Sequence, residues 1–298
     1  LRLGEWRLRA LELFSGIGGF AAAIGDRAEI VMAVDHNEFA DRVYRHNFGH
    51  PTRRWNVAGV KARQLRALSA SLWWMSPPCQ PFTVRGQQRD VDDPRCEALL
   101  HLLTLIAEVV PQHIGFENVP AFEGSLAHQQ LLRTLEGAGY HWQERLLCHS
   151  ALGVPNKRRR YFLVASQDPM APWREPPRVD MPLTNYLDLE PDGDLYLDQA
   201  LIDRFGTALP VCDLADPWPD TFCFTSAYGN SPVYAGSYLR DSVGIRHFSP
   251  AEITRLHHFP AGFTLPTDLD RRRAYKLVGN SLPVLSVREI LRPILEAS

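Results

Sequence analysis

Short apolar segments alternate with segments of helical periodicity through the first half of this chain. Strands are expected over residues 8–14, 30–34, 72–75, 113–116, 142–147 and 161–165, with helices over 39–47, 97–110 and 126–137. Strands joined by helices pair mainly in parallel, because the helix crosses one face of the sheet and returns the chain to its starting edge. The sequence therefore predicts an α/β fold built on a mostly parallel sheet.

The composition and periodicity of the sequence change after the last of these strands. Five prolines fall within residues 169–182, and the sequence up to residue 245 is acidic and weakly periodic. This pattern predicts a linker followed by a small irregular domain. Helical order resumes with Ser249 as a helix N-cap and Glu252 as its capping-box partner. A final helix is expected over residues 281–295.

The third predicted strand ends in the run Met75-Ser76-Pro77-Pro78-Cys79, in which two prolines precede a cysteine. Proline fixes φ and has no N–H to donate to a neighbouring strand, so the strand stops and a stiff loop follows. Ligands of open α/β sheets bind beyond the carboxyl ends of the strands. A cysteine mounted there is a candidate nucleophile, although cysteines ordinarily serve as small buried apolar residues.

Glycines follow the first strand in the run Phe14-Ser15-Gly16-Ile17-Gly18-Gly19. Glycine lets the backbone approach a ligand closely, and the helix that follows favours negative charge at its N-terminus. The spacing differs from G-x-G-x-x-G, so a dinucleotide fits poorly. Asp35 follows the second strand, where its carboxylate can accept both hydroxyls of a ribose, cap the next helix, or do both. The turn and Asp35 together indicate an adenosine-containing cofactor.

Charge is unevenly distributed along the chain. The net charge of -2 favours no class of partner, but residues 167–245 carry 4 Lys/Arg against 13 Asp/Glu, which leaves +7 on the remainder. The cations are grouped at residues 53–54, 157–160 and 271–273. A phosphate-binding surface would depend mainly on these groups. Taken alone, the pair at 53–54 fits an ordinary solvated surface equally well.

The cysteines and the hydropathy pattern bear on the cellular compartment. The five cysteines form no C-x-x-C pair and no zinc spacing, and this odd, scattered set is typical of reduced cytosolic thiols. No apolar stretch approaches the roughly 20 residues that span a membrane, and the first residues begin a strand pattern, not a signal peptide. We therefore expect a cytoplasmic protein without a membrane partner and without a bound metal.

Five blocks follow one another in a fixed order: Phe14-Ser15-Gly16-Ile17-Gly18-Gly19, Pro77-Pro78-Cys79-Gln80, Glu117-Asn118-Val119, Arg158-x-Arg160 and Gly279-Asn280-Ser281. In content, order and spacing the chain resembles the cytosine-C5 methyltransferases from residue 11 to the final helix. The resemblance implies a Rossmann-like catalytic domain that binds S-adenosylmethionine, over residues 1–166. It also implies a small target-recognition domain over 167–245 and a segment over 246–298 that returns to the catalytic domain.

The resemblance also assigns roles to individual residues. It implies a catalytic role for Cys79, Glu117, Arg158 and Arg160, and substrate contacts for Asn118, Cys223, Phe224 and Thr225. The implied cofactor contacts are Phe14, Ser15, Gly16, Ile17, Gly18, Gly19, Asp35, His36, Asn56, Val57, Ser76, Asn280 and Ser281. Asn56 stands where many relatives carry Asp, and its amide oxygen can accept the same hydrogen bond from the adenine amino group.

One branch of that family methylates transfer RNA, and this chain resembles that branch. Cys223-Phe224-Thr225, followed by Ala227-Tyr228-Gly229, is similar to its Cys-Phe-Thr signature. Thr83 and Asn156 stand where the DNA enzymes usually have Ser and Gln. The branch implies cytosine 38 of the anticodon loop as the target, in tRNA(Asp) or a related tRNA, with DNA as a weaker substrate. We expect the protein to act as a monomer.

The chemistry of cytosine explains why these residue types are needed. Carbon 5 of the ring is too electron-poor to take a methyl group until a thiolate adds at carbon 6. A free thiol is only a few per cent ionised at neutral pH, so Cys79 needs help, and the resemblance makes Arg158 and Arg160 the candidates. Glu117 would hold a proton on ring N3 and the exocyclic amine, although a carboxylate there can also cap a turn. Cys223 is equally compatible with an ordinary apolar role.

Three alternatives remain open at this stage. A DNA cytosine-C5 methyltransferase would use the same chemistry on another polymer. A nitrogen-directed methyltransferase has a loop like Ser76-Pro77-Pro78, but Cys79 stands where that loop carries an aromatic residue. A binding module without turnover would have no need of the four catalytic candidates. The low cost of extruding an already unpaired base favours an RNA loop as the substrate.

Overall fold

The computed structural model describes residues 8–83 and 89–296. These residues form two units, the first comprising residues 8–147, 159–175 and 287–296, and the second residues 148–158 and 176–286. Residues 246–286, which the sequence assigned to a returning catalytic segment, thus lie in the second unit together with 176–245. The functional division into catalytic and recognition domains stays a prediction.

The described residues contain short strands and helices in alternation. The strands are β1 (Arg9–Leu13), β2 (Glu29–Val34), β3 (Thr52–Arg53), β4 (Leu72–Met75), β5 (His113–Asn118), β6 (His141–Cys148), β7 (Asn156–Lys157), β8 (Arg159–Ser166), β9 (Val211–Asp213), β10 (Thr221–Phe222), β11 (Tyr238–Arg240) and β12 (Ile245–His247). The helices are α1 (Gly19–Ile24), α2 (Glu38–Asn47), α3 (Ala62–Leu68), α4 (Glu97–Val109), α5 (Leu126–Gly137), α6 (Gln199–Phe205), α7 (Pro250–Leu256), α8 (Arg271–Gly279), α9 (Val284–Ile290) and α10 (Arg292–Leu295).

A seven-stranded sheet in the order β3-β2-β1-β4-β5-β8-β6 organises the first unit. From β3 to β5 the neighbouring strands are parallel, whereas β8 runs antiparallel to β5. The predicted α/β class with a mostly parallel sheet is confirmed. The carboxyl ends of β1, β2, β4 and β5 lie along one edge, where ligands of such sheets bind.

Both faces of the central strands are buried, which explains their continuously apolar sequences. Successive side chains of a strand point to opposite faces, so Leu11 and Leu13 pack into the large core under α3, α4 and α5. On the other face the ring of Phe20 stacks on Trp74, with 5.2 Å between their centroids. Glu12 lies on this second face and is completely buried.

The last predicted helix, over residues 281–295, is wrong as a single element. The chain instead forms two short helices, α9 and α10, with Leu291 between them. Pro293 is near the start of α10, where its missing N–H is tolerated because the first amides of a helix have no partner within it. In the middle of one continuous helix the same proline would remove a hydrogen bond and clash with the preceding turn.

The second unit contains two small sheets and short helices. Strands β7 and β10 pair in parallel, and β9, β11 and β12 form a three-stranded sheet whose core includes Leu209, Tyr238 and Ile245. Ser249 caps α7 and Glu252 completes the capping box, as predicted from the sequence. None of the helices in the described parts of the chain is both long enough and apolar enough to cross a bilayer.

Candidate active site

The glycine-rich run after β1 forms a tight turn before α1. Phe14, Gly16 and Gly18 all have positive φ, at 58°, 52° and 92°. A Cβ on Gly18 would lie 2.3 Å from the ring of Phe48, so only glycine fits there. A Cβ on Gly16 would meet no atom within 4 Å. The turn thus presents bare backbone to open space at the carboxyl end of β1.

Asp35 ties this turn to the end of β2. Its Oδ2 accepts a hydrogen bond from Gly16 N at 2.8 Å, and its Oδ1 accepts one from Asn37 N at 2.8 Å. Asn37, not Asp35, caps α2, since its side chain accepts hydrogen bonds from Phe39 N and Ala40 N. Each Asp35 oxygen keeps a further lone pair that a ribose hydroxyl can use.

The remaining cofactor candidates of the first unit lie after the carboxyl ends of its strands, on loops or, for Gly19, at the start of α1. His36 is exposed beside Asp35, whereas Ile17, Gly19 and Val57 are buried.

Asn56 accepts a hydrogen bond from Ala58 N at 3.2 Å and caps a short turn. Ser76 accepts a hydrogen bond from Trp74 Nε1 at 2.8 Å, which fixes the first residue after β4. Direct contact of these residues with a cofactor stays a prediction.

Cys79 lies on the loop after β4 and is half-buried. The two prolines before it end the strand as expected, and Asn118 Nδ2 donates a hydrogen bond to the Pro77 carbonyl at 3.3 Å. Phe82 N donates to the Cys79 carbonyl at 3.0 Å, which closes a turn around the cysteine. The loop is therefore held from both sides, and the side chain of Asn118 helps to order it.

Glu117 and Arg160 form an ion pair at the neighbouring strand ends. Arg160 Nε lies 3.2 Å from Glu117 Oε1, and both side chains are largely buried. Met75 of β4 pairs in register with Phe116 of β5. Cys79, on the loop after β4, and Glu117, near the carboxyl end of β5, therefore lie at the ends of adjacent parallel strands. The thiol, the carboxylate and the guanidinium thus belong to the same edge of one sheet as the glycine turn.

Arg95 is a further candidate for a charged neighbour of the Cys79 thiol, and the sequence analysis missed it. Its guanidinium binds Asp93 through Nε at 2.9 Å and Nη2 at 2.6 Å. The hydrogen bonding and the charge of Asp93 are the main causes that raise the pKa of Arg95, and attraction to Cys79 adds a smaller contribution. The same pair lowers the pKa of Asp93 to about 2. An Asp-Pro step before a helix is a turn signal, but nothing in the pattern alone connects Arg95 with the thiol.

Arg158 lies in the second unit and is buried. Its Nη1 donates to the Phe224 carbonyl at 2.8 Å and lies 3.3 Å from Cys223 Sγ. Its Nη2 donates to the Gly279 carbonyl at 3.1 Å and also to the carbonyl of Ser281. Arg158 therefore joins two of the predicted motif blocks, whereas its expected help to the Cys79 thiolate stays a prediction.

The Cys-Phe-Thr block of the second unit is built into its interior. Phe224 is completely buried, and its ring meets those of Tyr228 and Phe248 at 4.9 and 5.2 Å. Cys223 is half-buried, and Thr225 N donates to the Ala235 carbonyl at 2.8 Å. Phe224 thus contributes to the core of this unit, and substrate contact by the block stays a prediction.

The block that contains Asn280 and Ser281 is packed against the same segment. A Cβ on Gly279 would lie 2.2 Å from the Thr225 carbonyl oxygen, so glycine is required by close backbone approach. Asn280 is exposed at the end of α8, and Ser281 is buried. Among the described residues no three His, Cys, Asp or Glu side chains are grouped as a metal site would require.

Comparison with known proteins is consistent with this arrangement. A family profile described as C-5 cytosine-specific DNA methylase matches residues 8–185 and 225–296. A tRNA (cytosine(38)-C(5))-methyltransferase of Schizosaccharomyces pombe is 30% identical over 99% of this chain and 98% of its own length. A DNA (cytosine-5)-methyltransferase of Dictyostelium discoideum is 27% identical over 96% of this chain and 94% of its own.

The fold is also similar to that of solved structures. A methyltransferase of Entamoeba histolytica superimposes with a TM-score of 0.91 at 26% sequence identity, and the match covers 97% of this chain and 98% of that one.

Proposed function

Because the chain belongs to the C-5 cytosine-specific DNA methylase family, we propose that it methylates carbon 5 of cytosine 38 in the anticodon loop of tRNA(Asp) or a related tRNA. The methyl donor in this proposal is S-adenosylmethionine. The observation that carries it is the sheet edge shared by the Cys79 loop after β4, the glycine turn after β1 and the Glu117–Arg160 ion pair at the end of β5.

The glycine turn and Asp35 in the first unit form a site that suits S-adenosylmethionine. The open space beside Gly16 admits a ligand against the backbone, and Asp35 is fixed at 2.8 Å from Gly16 N with lone pairs left for ribose hydroxyls. Asn56 lies on the loop after β3, where its amide can meet an adenine. When bound there, S-adenosylmethionine supplies an electrophilic methyl group.

Cys79 carries the covalent step of the proposed reaction. Its thiolate adds to carbon 6 of the cytosine ring, and the electron pair displaced from the 5,6 double bond makes carbon 5 nucleophilic. After carbon 5 has been methylated, a base takes its proton. The electron pair of the broken C5–H bond re-forms the 5,6 double bond, and the Cys79 sulfur leaves carbon 6 as a thiolate. The rigid loop between Pro77 and Phe82 holds the sulfur at the sheet edge throughout.

Glu117 stabilises the charge that develops in the ring. Addition of a thiolate pushes electron density onto ring N3. The Glu117 carboxyl group holds a proton on N3, and this proton neutralises the negative charge that develops there. Arg160 fixes the orientation of Glu117 through the 3.2 Å contact. A positioned group of this kind contributes typically 10²- to 10⁴-fold to a rate.

An RNA loop is favoured over duplex DNA by two considerations. The Schizosaccharomyces pombe relative, named as a tRNA (cytosine(38)-C(5))-methyltransferase, matches 99% of this chain. An unpaired cytosine also reaches the half-buried thiol of Cys79 at lower cost than a stacked and paired one. The Dictyostelium relative, named as a DNA enzyme, makes duplex DNA the alternative to be tested beside RNA.

Methyl transfer to nucleic acid tests the substrate. The protein is incubated with methyl-labelled donor and either total tRNA or duplex DNA, and bisulfite sequencing then locates the modified base. We expect label in tRNA at cytosine 38. Label in duplex DNA alone would overturn the assignment of RNA as the substrate.

A trapping experiment tests the covalent step. An RNA hairpin with 5-fluorocytosine at the target position cannot lose its carbon 5 substituent as a proton, so the protein should stay attached through Cys79. Cys79→Ala should give neither adduct nor methylation. Cys148→Ala removes a cysteine that is also half-buried and should retain both. An adduct that survives Cys79→Ala would contradict the mechanism.

A further inference from the structure

The two-stranded ribbon of β7 and β10 in the second unit has an inward and an outward side. Asn156 and Thr221 face inward, where Asn156 Nδ2 donates to Thr221 Oγ1 at 2.9 Å. Lys157 and Phe222 pair in register on the outward side. The Lys157 ammonium lies 5.7 Å from the centroid of the Phe222 ring, and Phe222 is 52% exposed.

The backbone beneath this exposed ring is firmly held. Phe222 N donates to Ser237 Oγ at 2.8 Å, and the Phe222 carbonyl accepts a hydrogen bond from Asn156 Nδ2 at 3.3 Å. Thr221 N donates to the Pro155 carbonyl at 3.0 Å. A large apolar ring on a fixed strand therefore faces solvent.

A second exposed aromatic residue lies just before β10. Trp218 is 67% exposed, and its N donates to Asp216 Oδ1 at 2.9 Å. It lines a cavity of about 310 Å³ whose walls include Pro155 and Asp220, the residues that directly precede β7 and β10. The cavity therefore borders the first residues of the ribbon. We call Lys157, Trp218 and Phe222 together the aromatic surface.

The charges around this surface are nearly balanced. Lys157 Nζ lies 3.5 Å from Asp220 Oδ2, and Arg178 Nε, also at the cavity, lies 2.6 Å from Asp180 Oδ1. The surrounding segment is acidic, so it does not attract a phosphate backbone by net charge. Stacking on an aromatic ring requires no net charge, because every base has a π-face.

We propose that the aromatic surface binds an unpaired nucleotide of the substrate RNA other than the methylated cytosine, which rests on the proposed function. One base stacks on Phe222 with Lys157 beside its phosphate, and Trp218 offers a second stacking face at the cavity. Bases inside a duplex are stacked on one another and do not expose these faces, so the surface distinguishes single-stranded from double-stranded segments.

The test measures RNA binding and turnover of aromatic-surface variants of the full chain. Alanine substitution at a base-stacking residue weakens binding by about 5- to 100-fold, so the dissociation constant and KM for tRNA should rise by that factor in Phe222→Ala and Trp218→Ala. The kcat at saturating tRNA should change by less than about threefold, since neither ring touches the reacting base. Phe222→Tyr keeps the ring and should bind as the wild type does.

Val243→Ala is the matched control, since Val243 is a 76% exposed apolar residue of the same unit that lies outside the aromatic surface. Circular dichroism and thermal unfolding establish that each variant is folded. A set of RNA hairpins with single abasic positions then identifies the stacked base. One abasic substitution should weaken wild-type binding and have no further effect on Phe222→Ala.

The outcomes separate this proposal from the proposed function. If the wild type methylates tRNA and both alanine variants bind it unchanged, the aromatic surface has no role in RNA binding and the proposed function stands. Equal weakening of duplex DNA and RNA binding, or binding of a protein at this surface with tRNA affinity unaltered, also overturns the proposal. If the wild type neither binds nor methylates tRNA, the proposed function itself fails before any variant is compared.

Discussion

Arg158 and Arg160 differ in their partners although a single residue separates them. Arg160 pairs with Glu117, whereas Arg158 donates to backbone carbonyls of Phe224 and Gly279. Alternation along an extended chain explains why both are shielded from solvent while Arg159 between them is exposed. It does not determine which partner each one meets, because those partners are distant in sequence.

Replacement of Gly279 by alanine should destabilise the second unit. The new Cβ would lie 2.2 Å from the Thr225 carbonyl oxygen, so backbone must shift at a cost of about 1–3 kcal/mol in the free energy of unfolding. Chemical denaturation followed by fluorescence measures this loss.

Gly137→Ala is a control of matched position, since Gly137 also ends a helix but a Cβ added there would have no atom within 4 Å. Alanine at that position should be neutral or stabilise by up to about 1 kcal/mol. Similar losses in both variants would mean that the helix end itself, and not the contact with Thr225, limits stability.

At the scale of elements, strand ends and helix starts position the candidate site. The parallel register that pairs Met75 with Phe116 brings the Cys79 loop and Glu117 to the same edge. The glycine turn reaches that edge because β1 lies next to β4. The chemistry therefore depends on two loops and one strand end, all supported by strands of one sheet.

Ser249→Ala should weaken the start of α7 more than Ser125→Ala weakens the start of α5. Both hydroxyls cap a helix, since Ser249 Oγ accepts from Glu252 N at 3.1 Å and Ser125 Oγ accepts from His128 N at 3.0 Å. Ser249 Oγ also donates to Asp188 Oδ2 at 2.6 Å, which is a further bond to a charged group. We expect losses of about 1–2 kcal/mol for Ser249→Ala and about 1 kcal/mol for Ser125→Ala.

Amide hydrogen exchange resolves the two helix starts separately. Protection of the amides in the first turn of α7 should fall more in Ser249→Ala than protection in α5 falls in Ser125→Ala. Equal losses would show that the bond to Asp188 adds nothing to the cap.

At the scale of the whole molecule, one buried carboxyl links stability to pH. Burial raises the pKa of Glu12 from 4.5 to about 8, although a hydrogen bond from the Tyr44 hydroxyl at 2.9 Å opposes the shift. The folded protein then retains a proton that the unfolded chain has lost between these two values. Stability from this group is fully present below pH 4.5 and is lost as pH rises to about 8.

Glu12→Gln should remove this pH dependence. The amide keeps the shape of the side chain but does not ionise, so the variant should gain stability relative to the wild type from about pH 5 to about pH 8, by about 1 kcal/mol or more. Urea unfolding at several pH values measures the difference. A constant difference across that range would contradict a raised pKa of Glu12.

Much of the fold was predictable from local pattern. The apolar runs that became β1, β2, β4 and β5 are buried on both faces, so their composition alone identified them. The capping box at Ser249 was equally visible, because its two hydrogen bonds join residues three positions apart. The prediction of one continuous final helix was wrong because the helical periodicity of apolar residues continues through Pro293. The chain instead begins a new helix there.

Local residue patterns were enough to specify the α/β class, the stiff loop that carries Cys79 and the glycine turn, because each depends on the conformational limits of neighbouring residues. Only the tertiary structure decided that Arg160 meets Glu117, that Arg158 binds the carbonyls of Phe224 and Gly279, and that Phe222 faces solvent. The arginine contacts join residues 43 to 121 positions apart in the sequence. The exposure of Phe222 depends on which face of the ribbon is covered. No local preference of the chain specifies such distances, since they arise only when the sheets and helices pack.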